Sequence, residues 1–260
     1  MKNLTRSLLI LLVIVAGCQQ TTQWELVWSD EFDNTGQPDE SIWDYETGYI
    51  RNHEMQYYTD DIKNVEVKDG CCVITARLEE GDSVTSGSIN TLGKKDFLYG
   101  RIEVNAQIPS ALGSWPAIWM MGTNREELRW PACGEIDIME HVGFDPDKIH
   151  ANIHTKAYNH VLHTNKGNTI EVDSPWNDFH IYALEWYKDR MDFFYDDSLY
   201  FSFPNDGAGN NDTWPYDKPH YLLLNLAYGG SWGGAQGVDT SLLPLEFKID
   251  YVRYYQEKKK

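Results

Sequence analysis

The sequence predicts an all-β chain folded as a sandwich of two stacked antiparallel sheets. Apolar residues recur with a period of two along most of its length. No window holds a convincing amphipathic helix of three turns, and Gly, Pro, Asn and Asp punctuate the short apolar runs. With 260 residues, 42 % hydrophobic and 24 % charged, the chain is long enough for one domain with a real core and too apolar to be disordered.

Taken in order, residues 1–17 read as a signal peptide, because Lys2 and Arg6 precede the apolar run 8–16, which is too short to span a bilayer. That run ends in Val15-Ala16-Gly17-Cys18, the form of a bacterial lipobox. Cleavage there leaves Cys18 as an acylated N-terminus, followed by a Gln/Thr-rich tether over 18–23. A lipoprotein of a bacterial cell envelope is expected, at the outer membrane or cell surface, touching membrane only through its lipid. No linker, repeat or low-complexity tract interrupts 24–256, which is read as one domain with a short tail at 257–260.

Strands are expected at 25–29, then at 65–68 and 71–77 around an Asp69-Gly70 hairpin turn. At 101–108 polar and apolar residues alternate over eight positions, as in a strand with one buried face. Further strands are expected at 115–121, 135–141, 149–154, 180–187, 191–195, 198–203, 221–227 and 245–256, with 155–176 and 204–219 as loops at the rim of a cleft.

Charge and cysteines narrow the function. Forty Asp and Glu against 22 Lys and Arg give net −18, and loss of Lys2 and Arg6 with the signal makes it −20. Such a surface repels nucleic acid and anionic lipid and favours a neutral substrate. Cys71, Cys72 and Cys133 form no CxxC pair, so they are read as small buried apolar groups rather than as a zinc or redox site.

The most informative stretch is Glu135-Ile-Asp137-Ile-Met-Glu140. In a regular strand Glu135 and Asp137 share a face and Glu140 falls on the other. A β-bulge between Asp137 and Glu140 would bring all three carboxylates to one face. There they repel one another, which can keep one protonated near neutrality. Two carboxyls about 5–5.5 Å apart are what retaining glycoside hydrolysis needs, one as nucleophile and one as acid/base.

This motif resembles the bulged signature Glu-x-Asp-x-x-Glu of glycoside hydrolase family 16, in its laminarinase-type endo-β-1,3(4)-glucanase branch. The resemblance runs over roughly 24–256. It includes Trp28-Ser-Asp-Glu-Phe32, Asn52-His-Glu-Met-Gln-Tyr-Tyr58, Tyr99-Gly-Arg-Ile-Glu103, Trp115-Pro-Ala-Ile-Trp119-Met-Met-Gly122, Asn225-Leu-Ala-Tyr-Gly-Gly-Ser-Trp232 and Ile249-Asp-Tyr-Val-Arg-Tyr-Tyr255. It implies a β-jelly roll with a concave substrate cleft. It also implies Glu135 as nucleophile, Asp137 as its electrostatic helper and Glu140 as acid/base. Substrate contacts are expected from Asn52, Glu54, Trp115, Trp130, His154, Asn225 and Trp232, and Trp119 is expected in the core. No cofactor is needed for catalysis, but the resemblance implies a structural calcium held by Glu31, Gly70 and Asp250. His150 and His154, four apart, complete no recognised metal spacing.

The expected activity is retaining, endo-acting hydrolysis of β-1,3-glucan and of mixed β-1,3/1,4-glucan by a monomer. Two alternatives stay open. One is hydrolysis of another polysaccharide such as an agar-type galactan, and the other is a non-catalytic glucan-binding lipoprotein.

Overall fold

Residues 22–258 are described by the computed structural model, in which the period-two pattern resolves into seventeen strands. One sheet has seven, in the order Lys166–Glu171, Lys148–His154, Glu135–Glu140, Ser114–Gly122, His220–Tyr228, Ser88–Asn90 and Asp44–Tyr45, antiparallel at each pairing. The other has ten. Eight run in the order Ser198–Pro204, Arg190–Tyr195, His180–Trp186, Gly100–Gln107, Leu245–Glu257, Cys71–Leu78, Val84–Ser86 and Gln56–Tyr58. Trp24–Asp30 adds to Leu245–Glu257, and Val65–Lys68 to Cys71–Leu78. Gln56–Tyr58 with Val84–Ser86 is the one parallel pair among the described strands.

The sheets are held face to face by the alternation that predicted them. Ile118, Met120, Ile136, Ile138, Leu222 and Leu224 from the seven-stranded sheet share one core with Ile102, Val104, Phe247, Ile249 and Val252 from the other. Each such side chain contributes about 1.5–3 kcal/mol by leaving water. Gly100–Gln107 buries every second residue, as its sequence implied. Ser114–Gly122 and His220–Tyr228 are buried at every position. Their run-on apolar sequences reflect cover on both faces, the core behind and the walls of a cleft in front.

The expected strands are all present, with ends shifted by a residue or two. Segment 155–176 departs from its expectation as a loop: it contains the 3-10 turn His160–Leu162 and the edge strand Lys166–Glu171. Lys166-Gly-Asn lies at the sheet edge and is exposed, so no apolar alternation marks it. Segment 204–219 is irregular as expected. Cys72 and Cys133 are buried, Cys71 is half-buried, and all three are free thiols. Among the described residues no helix is long and apolar enough to cross a membrane. Residues 1–21, with the signal peptide and Cys18, lie outside the described part of the chain.

Candidate active site

The carboxylate strand is bulged where the sequence required it. Against Ser114–Gly122, Asp137 pairs with Trp119 and Glu140 with Ala117, while Met139 pairs with Ile118, so Ile138 is the extra residue. On the other side the register jumps from Asp137↔Asn152 to Glu140↔His150. Ile138 and Met139 both enter the core, and Glu140 turns onto the face of Glu135 and Asp137.

Each carboxylate is held by named partners. Trp115 Nε1 donates to Glu140 Oε1 at 3.1 Å and Asn152 Nδ2 to Oε2 at 3.2 Å. His154 Nε2 lies 3.3 Å from Asp137 Oδ2 and 3.7 Å from Glu135 Oε1, within ion-pair reach. No hydrogen bond reaches Asp137 Oδ2. Tyr216 anchors the backbone beneath, its hydroxyl bonding the carbonyls of Glu135 and His154 at 3.0 Å each.

Burial and crowding raise the pKa of all three. Glu135 is pushed up to about 8 by burial and by Asp137, against the pull of His154. Asp137 is raised well above the carboxylate range by burial and by Glu140. Glu140 is raised by burial, opposed by His154 and by its bonds to Trp115 and Asn152. Three buried negative charges cannot coexist at this spacing near neutrality, so the cluster holds protons.

A cleft of about 280 Å³ opens over this face. Asn52, Glu54, Trp115, Trp130 and Asn225 line it, as the sequence led one to expect. Glu54 is the hub of its far side: it accepts from Asn52 Nδ2 at 3.2 Å, Gln56 Nε2 at 2.7 Å and Tyr58 OH at 3.2 Å. Asn225 Nδ2 donates to the same Tyr58 oxygen at 3.0 Å. Trp119 is buried as expected, in an apolar cluster with Ala117, Met121 and Tyr221, and it also lines the cleft, its indole N–H bonded to Asn225 Oδ1 at 2.7 Å. His154 stands behind the carboxylates, outside the cleft lining. Trp232 lies one ring further out, edge-on to Trp115 with centroids 5.4 Å apart.

Sequence reasoning missed Arg51, Arg125 and His160 as lining residues. Arg51 is tied to Glu46 and lies 5.0 Å over the Trp119 ring, where desolvation strengthens both contacts. Its position next to Asn52 in an acid-rich chain was the available signal. His160 had none, since a loop histidine carries no periodicity.

At the corner expected to hold calcium, Gly70 forms the Asp69-Gly70 turn with φ +53° and +77°, which glycine adopts freely. Glu31, however, accepts from Arg253 Nε at 2.9 Å and Nη2 at 2.8 Å. Asp250 accepts from Asn105 at 2.8 Å. The Glu31 carboxylate is thus paired with a guanidinium in this structure.

A bulged strand that aims three carboxylates of raised pKa into an aromatic-floored cleft defines a glycoside hydrolase. The comparisons with known proteins agree. Residues 45–253 match glycosyl hydrolases family 16, and the chain belongs to that family. A β-glucanase of Rhodothermus marinus is 45 % identical over 98 % of this chain and 96 % of its own length. The structure of the laminarinase from Rhodothermus marinus superposes with a TM-score of 0.88 at 47 % identity, over 92 % of this chain and 99 % of that one. SCLam, a non-specific endo-β-1,3(4)-glucanase of family 16 crystallised as a mutant with 1,3-β-D-cellotriosyl-glucose, superposes with a TM-score of 0.87 at 46 % identity, over 91 % and 96 % of the two chains. These neighbours carry the jelly-roll architecture that the two stacked sheets display.

Proposed function

We propose that this glycoside hydrolase cuts β-1,3-glucan within the chain, and mixed β-1,3/1,4-glucan as well, with retention of anomeric configuration. The observation that carries the chemistry is the bulge, which sets Glu140 on the face of Glu135 and Asp137. Glu135 attacks the anomeric carbon while the glycosidic C–O bond breaks and Glu140 passes its proton to the leaving oxygen. Glu140 then takes a proton from water, whose oxygen displaces Glu135 and restores both groups. Arg51 and His154 favour ionised Glu135. The named activities of the R. marinus enzymes and of SCLam support the substrate.

A digestion panel of laminarin, mixed-linkage glucan, cellulose and agarose, read by product size, tests this. Oligosaccharides from the first two are expected. Glucose alone from the earliest time point, or agarose cut while laminarin survives, would overturn the reading. Proton NMR before mutarotation should show β-anomer first, and initial α-product would exclude a glycosyl-enzyme.

The cell-envelope location belongs to the same proposal and rests on the run before Cys18. A structural calcium would require Arg253 to release Glu31. Calcium should then raise the thermal midpoint in wild type and not in Asp250→Asn; no shift in wild type would remove the ion from the proposal.

A further inference from the structure

His160 stands at the Glu135 end of the cleft, in a segment built to hold it. Asn159, which is buried, caps the turn: its Oδ1 accepts from Leu162 N at 3.0 Å and its Nδ2 donates to the Thr155 carbonyl at 3.2 Å. Thr164 Oγ1 accepts from Asn159 N at 3.1 Å and donates to the Ala157 carbonyl at 2.9 Å. Lys156 pairs with Asp212 at 3.0 Å, and Ala157 N donates to the Asp212 carbonyl at 2.8 Å, pinning the segment to the neighbouring loop. Val161 and Leu162, which follow His160, point to solvent. So much backbone constraint on an exposed turn delivers one side chain to the cleft.

The imidazole lies 5.1 Å from the Trp130 ring at 36° and 5.2 Å from His154, edge-on. Both Trp130 and His160 line the cleft beside Glu135. Among the described residues no hydrogen bond reaches either ring nitrogen of His160, although its neighbour Asn159 satisfies every side-chain group it has. A neutral imidazole offers one donor and one acceptor, both of which a sugar hydroxyl can meet. Partial desolvation at the cleft wall and the adjacent His154 and His163 favour that neutral form.

We propose that His160 is a substrate-contact residue that hydrogen-bonds a hydroxyl of the glucosyl unit lying along Trp130 at the Glu135 end of the cleft. The inference rests on the glucanase reading above and adds to it a residue that selects which sugar unit and orientation can occupy that end.

The test compares His160→Gln, which keeps donor and acceptor, with His160→Phe, which keeps the ring against Trp130, in steady-state kinetics on laminari-oligosaccharides. His160→Phe should raise KM about five- to tenfold with kcat within about twofold, the loss of one neutral hydrogen bond. His160→Gln should stay within about twofold of wild type in both parameters. The side chain is exposed, so both variants should keep the wild-type thermal midpoint. Wild-type kinetics in His160→Phe would overturn the proposal, as would equal damage in both variants, since either result leaves His160 a packing role at most. Failure of wild type to cut laminarin strikes the substrate reading instead, so the two failures are distinguishable.

Discussion

Glu135 and Glu140 answer to different demands, and single substitutions separate them. Glu135→Gln and Glu140→Gln should each lower kcat on laminarin roughly a thousandfold or more, because neither can take over the other's step. Asp137→Asn should fall short of that loss, since the amide still reduces repulsion between its neighbours. Azide should restore turnover to a Glu135→Ala variant with inverted product, a result that Glu140→Ala cannot give. The same groups cost stability. Because the folded value of Glu135 is raised to about 8 from an ordinary 4.5, its contribution is fully present below pH 4.5 and lost as pH rises through 8. Glu135→Gln lacks that loss, so it should unfold at a higher temperature than wild type at pH 9 and at nearly the same temperature at pH 4. The gap at high pH should be about 2–5 kcal/mol. A variant no more stable than wild type at pH 9 would mean the charge is relieved elsewhere.

The carboxylate strand shows how far a sequence pattern can position a site. Three acids at spacings of two and three are incompatible with a flat strand on one face, and Ile138-Met139 between them are too apolar to sit outside, so a bulge at this point was legible from the residues alone. Deleting Met139 gives Glu-Ile-Asp-Ile-Glu, which alternates regularly and leaves the last Glu opposite Ala117. That variant should retain measurable hydrolysis while losing about 2–5 kcal/mol for the missing core side chain. Inserting an alanine after Asp137 adds a residue without a hole to fill and turns Glu140 toward the core, so it should lose activity altogether. Equal activity in the two would show that the bulge does not aim Glu140. The less legible elements fail for stated reasons. Asp44–Tyr45, Ser88–Asn90, Gln56–Tyr58 and Val84–Ser86 are two or three residues long, below the length at which alternation can be seen. That the buried Trp119 also borders the cleft was not legible, because both faces of its strand are covered and periodicity cannot say which face meets substrate. Arg51 and His160 come to the cleft from loops, where placement depends on contacts distant in sequence.

At the scale of the whole molecule, the net charge of −18 sets the class of polymer the cleft can meet. Neutral glucan approaches without penalty, whereas a sulfated galactan is repelled at low ionic strength, and added salt should ease only the latter. Replacing Cys18 by Ser should move the protein from the membrane to the soluble fraction, as judged by fractionation and immunoblot; an unchanged membrane fraction would remove the lipid anchor. The ends of the domain carry a further consequence. Leu245–Glu257 lies between Gly100–Gln107 and Cys71–Leu78 and also pairs with Trp24–Asp30, so the strand translated after all the others joins the middle of its sheet. Until those thirteen residues emerge, the two halves of that sheet have exposed edges and no shared partner. A nascent chain therefore stays unlocked through most of its synthesis and closes only when its final strand arrives.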